Sequence, residues 1–201
     1  MKRRDFIKTL TGSFASSLIA PGLLLSQQAL AAEKNAEFWR LAAQGHNLIF
    51  VRHTRTTPGN GDPDGYRLDD CSTQRQLSDL GRAEARQIGE HFQRSGVKLD
   101  RILSSAWCRC TETADLAFGR HEVWEPINSI FFNRDRGPAQ TRAILAAAAE
   151  QPKGENWILS THRSNILLAT GQNTSMGDVL LTRYDPNQPE QLRVLAQLDW
   201  R

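Results

Sequence analysis

The sequence contains no uninterrupted apolar run of about eighteen residues, the length a helix needs to cross a bilayer, so it offers no membrane span. It has no block of like charge, no Gly/Ser- or Pro-rich linker in its body and no internal repeat. These absences remove disordered tails, strung-out multidomain chains and solenoids from consideration. Cysteine is scarce: Cys71, Cys108 and Cys110 are the whole complement. An odd count allows one internal bridge and leaves a thiol over. Cys108 and Cys110 are too close in sequence to pair without strain, so Cys71 with one of them is the expected bridge. It would close a loop worth roughly 3–4 kcal/mol in the chain-entropy model. A zinc site built from the three sulfurs and a histidine has none of the usual ligand spacings.

What is present fits one domain. The 201 residues are 39% apolar and 23% charged, enough to bury a core. The basic balance, 25 Lys+Arg against 22 Asp+Glu, is confined to the N-terminus. Residues 1–31 hold Lys2, Arg3, Arg4 and Lys8 against Asp5 alone, and 32–201 are neutral. The charge is therefore no sign of nucleic-acid binding, and no basic stripe with interleaved aromatics appears elsewhere.

Residues 1–31 read as a signal peptide. A charged start leads into a modestly apolar stretch from Leu10 to Leu25, and Ala29-Leu30-Ala31 offers the small residues of a cleavage site. Arg3-Arg4-Asp5-Phe6-Ile7-Lys8 resembles the twin-arginine export signal, and the weakly apolar middle agrees with that route. The expectation is a periplasmic or secreted protein, handled by the twin-arginine machinery, not inserted in a membrane after cleavage, and folding as a single domain over 32–201. The cysteines suit that oxidising compartment.

Along the body, strands and helices alternate. A short helix is expected around Phe38 to Ala43. Leu48-Ile49-Phe50-Val51 predicts a buried central strand ending at Arg52-His53. Residues 54–76, with Pro58, Gly59, Gly61, Pro63 and Gly65, form a long loop of the kind that carries function. Ser78 caps the next helix, whose inner face is read from Leu80, Ala83, Ile88 and Phe92, and Gly96 ends it. Arg101–Ser104 predicts a strand, Trp107–Ala117 a helix closed by Gly119, and Val123-Trp124 a short strand. Residues 125–137 are irregular, and Pro138 opens an Ala-rich helix reaching Glu150. Trp157–Ser160 is another strand, running out into Thr161-His162. Ile166–Ala169 is a helix stopped by Gly171, and Val179–Tyr184 and Leu192–Leu198 are final strands. The alternation predicts a three-layer α/β/α sandwich around a largely parallel sheet.

Three of these segments share a design, an apolar strand that ends in polar, cationic residues. Ligands of open α/β sheets bind beyond the carboxyl ends of the strands. Arg52, His53, Arg109 and His162 should therefore meet at one edge. Two guanidinium forks and two imidazoles suit a phosphate dianion. A neutral imidazole can attack phosphorus and form a covalent intermediate, and the cations stabilise charge on the remaining oxygens without a metal.

The same residues carry a resemblance. Leu48-Ile49-Phe50-Val51-Arg52-His53-Thr54 resembles the nucleophile strand of the histidine phosphatase superfamily, the phosphoglycerate mutase-like fold. Leu77-Ser78 with Gly81-Arg82 and Ala85, Ser104-Ser105 with Arg109 and Thr113-Ala114, and Ser160-Thr161-His162 with Asn165 are similar to its later motifs, in order. The resemblance implies that His53 is the phosphorylated nucleophile, that Arg52 and Arg109 clamp the phosphoryl group, and that His162 contacts its oxygens. It implies hydrolysis of a small-molecule or glycan phosphomonoester with no cofactor and no metal. Sugar phosphates and phosphorylated envelope glycans are among the candidates. Thr54 stands where the family has glycine, and its hydroxyl is available to bond the phosphate instead. The usual acid/base carboxylate has no clear counterpart, leaving Glu125 and Asp135 as candidates. A second reading follows from those departures: a phospho-ligand-binding protein that keeps the pocket without turnover. The expected pocket rim comes from residues 54–76 and 121–137 and mixes aromatic, acidic and basic groups, whereas Arg134 and Arg163 are expected on solvated faces, and Asp62 is expected as a turn-forming carboxylate.

Overall fold

A computed structural model describes residues 21–201. The twin-arginine segment and most of the expected leader lie outside the described residues. The first helix, α1 (Pro21–Ala42), is longer than the short helix expected near Phe38. Pro21 sits at its first turn, and the Leu, Gln, Ala, Glu and Lys that follow are strong helix formers, so nothing breaks it before Ala42. It runs unbroken across Ala31-Ala32. Phe38 and Ala42 of α1 join the core, with Trp39 and Leu41 packed beside them.

Six strands form one sheet in the order β3-β2-β4-β1-β5-β6. They are β1 (Asn47–Arg52), β2 (Arg101–Ser104), β3 (Glu122–Val123), β4 (Asn156–Thr161), β5 (Val179–Arg183) and β6 (Arg193–Leu198). The first four in sheet order are mutually parallel, and β5 runs antiparallel to both β1 and β6. The continuous apolar runs of β1 and β4 are buried on both faces, as a central parallel strand requires. Ile49 and Val51 join one core cluster with residues of α1, α2 (Asp79–Ser95) and α3 (Cys108–Phe118). Leu48 and Phe50 point the other way, into a cluster with α4 (Gly137–Glu150) and α5 (Arg163–Thr170). The expected α/β/α sandwich is therefore present, with three helices on one face and two on the other.

The inner face of α2 differs from the expected one. Leu80 is half exposed and Ala83 is exposed, while Gly81, Glu84, Ala85, Ile88, Gly89 and Phe92 are buried. Two glycines and one carboxylate set this rotation. A Cβ on Gly81 would collide with the Arg55 carbonyl, and one on Gly89 with the Ala117 carbonyl of α3. Glu84 accepts from the Arg55 amide at 3.2 Å and pairs with its guanidinium at 3.0 Å. Ser78, the expected N-cap, accepts from the Gly81 amide and donates its own amide to the Arg55 carbonyl. The helix is thus fastened to the chain leaving β1, which fixes both ends of the long loop.

Candidate active site

Strand register brings the two histidines together. Arg52 of β1 lies opposite Thr161 of β4, and the His53 amide extends the ladder by donating to the Thr161 carbonyl at 3.0 Å. The chain leaves β1 toward α2 on one face and leaves β4 directly into α5 on the other. That is a topological switch point, where α/β sheets open a crevice. The His53 and His162 rings lie there with centroids 5.6 Å apart. Arg109 arrives from α3, next to β2, and its Nη2 is 3.5 Å from His162 Nδ1. Arg52, His53, Arg109 and His162 all line one cavity of about 690 Å³.

Hydrogen bonds fix the state of each imidazole. His53 Nδ1 lies 3.0 Å from the Thr54 carbonyl, which can only accept, so Nδ1 carries the proton and Nε2 keeps its lone pair. Burial, then the charge of Arg109, pushes the His53 pKa down to about 3, so the ring is neutral at ordinary pH. His162 is shifted down well below its usual range by the same two causes, with His53 and Arg52 adding to them. Its Nε2 is 2.8 Å from Ser105 Oγ and 3.5 Å from the buried thiol of Cys110. Burial drives that thiol up to about 12, so it stays protonated.

The cavity is strongly cationic. Arg75, Arg134 and Arg163 join Arg52 and Arg109 in lining it, and among the described residues no Asp or Glu does. Burial, then the neighbouring Arg163, lowers the pKa of Arg52; burial and Arg109 lower that of Arg75. The Nε atoms of Arg52, Arg75 and Arg109 are buried without a hydrogen-bond partner. An unpaired buried donor costs about 1–3 kcal/mol, more when charged. Five guanidinium groups around two neutral imidazoles are the chemistry that suits an oxyanion. Among the described residues no three His, Cys, Asp or Glu side chains converge as a metal site.

Several readings change at this point. Asp62 is not merely a turn carboxylate. It pairs with Arg109 Nη1 at 2.7 Å and accepts from Trp107 Nε1 at 3.0 Å and the Arg75 amide at 3.0 Å. Arg134 and Arg163 are surface residues that nonetheless line the cavity. Arg75 was not singled out by sequence, because an arginine in an aperiodic loop carries no spacing signal. The rim includes Ser164, Leu167 and Leu168 of α5 as well as the two expected loops. Thr54 does not line the cavity. Thr113 Oγ1 donates to the Arg109 carbonyl at 2.7 Å and accepts from the Thr54 amide and hydroxyl, each at 3.2 Å, so Thr54 joins the end of β1 to the helix of Arg109. Glu125 accepts from Arg136 at 2.5 Å on the surface, and neither it nor Asp135 lines the cavity.

Cys71 and Cys108 form the disulfide, and Cys110 is the free thiol. The bridge removes two of three sulfurs from any zinc ligand set. It also ties the long loop to the residue preceding Arg109. The Cys108 amide donates to the Gln74 side chain at 2.9 Å, a second link between the same segments.

Fold and site together define a phosphate-handling α/β/α protein with paired histidines at a strand-end crevice. The family model of the histidine phosphatase superfamily (branch 1) matches residues 48–161, and the chain belongs to that superfamily. Membership supports phosphatase activity. No curated protein matches the sequence significantly. Among solved structures, an Escherichia coli K-12 protein provisionally assigned as an alpha-ribazole-5'-P phosphatase is similar at 12% identity and TM-score 0.56, over 78% of this chain and 97% of its own. Rv3214 of Mycobacterium tuberculosis is similar at 14% identity and TM-score 0.55, over 78% and 99%. The protein histidine phosphatase SixA, solved with tungstate, is similar at 14% identity and TM-score 0.52, over 77% and 97%. At these identities the likeness is one of fold.

Proposed function

We propose that the protein is a metal-independent phosphomonoesterase that works through a phosphohistidine on His53. The observation that carries this reading is the His53 ring. It is neutral, its Nδ1 proton is committed to the Thr54 carbonyl, and it sits 5.6 Å from His162 among arginines with unpaired donors. In the first step His53 Nε2 attacks phosphorus, the N–P bond forms, and the bond to the ester oxygen breaks, its electron pair leaving on that oxygen, which takes a proton from solvent. The imidazole becomes cationic, and the Nδ1–H bond to Thr54 stabilises that charge. Arg52 and Arg109 bind the phosphoryl oxygens, and His162 contacts them from the opposite side. In the second step water attacks phosphorus, the N–P electron pair returns to Nε2, and orthophosphate leaves with the proton balance met by solvent. The substrate is a small-molecule or glycan phosphomonoester.

Export by the twin-arginine route to the periplasm or beyond belongs to the same proposal. Its support is the Arg3-Arg4 leader and a disulfide, a bond that persists in oxidising compartments. Residues 1–31 fused to a reporter should carry it across the inner membrane, and Arg3→Lys with Arg4→Lys should retain it inside.

Activity is tested by release of p-nitrophenol from p-nitrophenyl phosphate at pH 5–8 with chelator present. Wild type should turn over and His53→Ala should not, and a rapidly quenched reaction should contain an acid-labile phosphoryl group on His53. The second reading, ligand binding without turnover, draws on the lack of a carboxylate in the cavity. It would be favoured if wild type bound tungstate but released no product.

A further inference from the structure

The cavity is far larger than a phosphate, and its lining is divided by chemistry. Its cationic residues are Arg52, Arg75, Arg109, Arg134 and Arg163, with the two histidines among them. Its apolar wall is Ile130, Phe131, Pro138, Leu167 and Leu168. We propose that the organic group of the substrate is apolar, an alkyl or aryl ester lying on this wall while its phosphate occupies the arginines. The inference deepens the phosphomonoesterase reading and rests on it for the location of the phosphate.

The wall is built, not incidental. Helix α5 is capped by His162 and buries Asn165, Ile166, Ala169 and Thr170. Its opposite half presents Leu167 at 39% exposure and Leu168 at 44%, about one and a half turns past the histidine. Phe131 is 46% exposed on the loop across from them. The backbone holds these groups in place. A Cβ on Gly137 would meet Leu168 Cδ1 at 2.9 Å and Ile130 Cδ1 at 3.2 Å, so glycine there lets both side chains close over the start of α4. A Cβ on Gly61 would meet Phe131 Cε1 at 2.8 Å, and Gly61 has φ +77°, so that ring packs directly on the loop backbone. Phe132 stacks on Tyr66 with centroids 5.3 Å apart and meets Phe131 edge-on at 4.9 Å.

Exposed apolar surface continuous with a charged pocket is recovered when a ligand covers it. A polyol would leave this wall unused. It would also find few partners, because the uncharged hydrogen-bonding side chains lining the cavity are Asn60, Ser129 and Ser164, and no carboxylate is there to accept from sugar hydroxyls. Charge and wall together therefore match a phosphate on a hydrocarbon, and the sugar phosphates suggested by sequence fit the lining less well.

Binding of non-hydrolysable phosphonates tests this without turnover. Calorimetry with the purified protein should show benzylphosphonate and hexylphosphonate binding roughly tenfold or more tighter than methylphosphonate, as burial of an apolar face predicts. A variant carrying Leu167→Asn and Leu168→Asn, both at exposed positions, should bring the ratio within about twofold. Equal affinities in wild type, no phosphonate binding at all, or a ratio unmoved by the variant would overturn the proposal. Binding with the expected ratio but no hydrolysis of p-nitrophenyl phosphate would instead overturn the catalytic reading and leave this one standing.

Discussion

Asp62 and Arg109 form an ion pair at 2.7 Å with side chains only 1% and 4% exposed, linking the long loop to the first turn of α3. The carboxylate aims a guanidinium that would otherwise be buried without a countercharge. Asp62→Ala is expected to cost about 3–5 kcal/mol, the range for breaking one partner of a buried pair. Asp62→Asn keeps one acceptor oxygen, for either the Arg75 amide or Trp107, and removes the charge. It should lower kcat/KM by roughly a hundredfold, in line with loss of a positioned transition-state cation. Urea unfolding and p-nitrophenyl phosphate kinetics measure the two effects. A stability loss below 1 kcal/mol for Asp62→Ala would remove the pair from its anchoring role.

The Cys71–Cys108 bridge works on the same two segments, spanning 37 residues. Cys71→Ser should cost roughly 3–4 kcal/mol by the chain-entropy argument, or about 8–15 °C in melting temperature for a domain of this size. Because Cys108 precedes Arg109, kcat/KM should fall as well, and dithiothreitol should do the same to wild type while leaving Cys71→Ser unchanged. Unaltered melting and activity after verified reduction would show that the bridge supports neither.

Residues at strand ends were legible in the sequence; residues in the loop were not. His53 and His162 each follow an apolar run, and parallel register does the rest, so their meeting follows from periodicity and topology. The cap at Ser78 and the stops at Gly96, Gly119 and Gly171 were readable for the same reason, since each needs one residue type at one position. Asp62 and Arg75 lie in an aperiodic loop whose path is set by the disulfide and by contacts with α3, and no local pattern encodes those. Apolar periodicity alone turns Leu80 and Ala83 inward on α2, whereas Gly81, Gly89 and Glu84 fix the rotation that exposes them. Close backbone approach and a buried ion pair do not register as hydrophobic periodicity.

The buried neutral histidines predict how stability responds to acid. His53 has a folded pKa near 3, against about 6.5 in the unfolded chain. Between those values the unfolded state takes up a proton that the folded state refuses. Stability is therefore full above pH 6.5 and declines as pH falls toward 3. For this group alone the loss between pH 7.5 and pH 5 is about 2 kcal/mol. His162 is shifted in the same direction and adds to it. Urea unfolding at the two pH values should show a drop that is about 2 kcal/mol smaller in His53→Gln. Tungstate should offset part of the wild-type drop, because an oxyanion beside the ring favours its protonated form. An identical pH dependence in wild type and His53→Gln would contradict a buried neutral imidazole.

Among the described residues no carboxylate lines the cavity, so the proposed first step has no carboxylic acid there to protonate the leaving oxygen. The first step must then depend on how well the leaving group carries negative charge by itself. Across a series of substituted phenyl phosphates, kcat/KM should fall steeply as the leaving-group pKa rises, and alkyl esters should bind yet react far more slowly than p-nitrophenyl phosphate. Glu125 is held by Arg136 on the surface, and Asp135 lies on the same outer turn, so Glu125→Gln and Asp135→Asn should stay within about twofold of wild type at every leaving group. General-acid catalysis typically contributes 10²–10⁴-fold, so a residue supplying it could not hide in that margin. A flat dependence on leaving-group pKa that becomes steep in one of the two variants would identify that carboxylate as the proton donor. It would also mean that the loop bearing it closes over the phosphate when substrate binds.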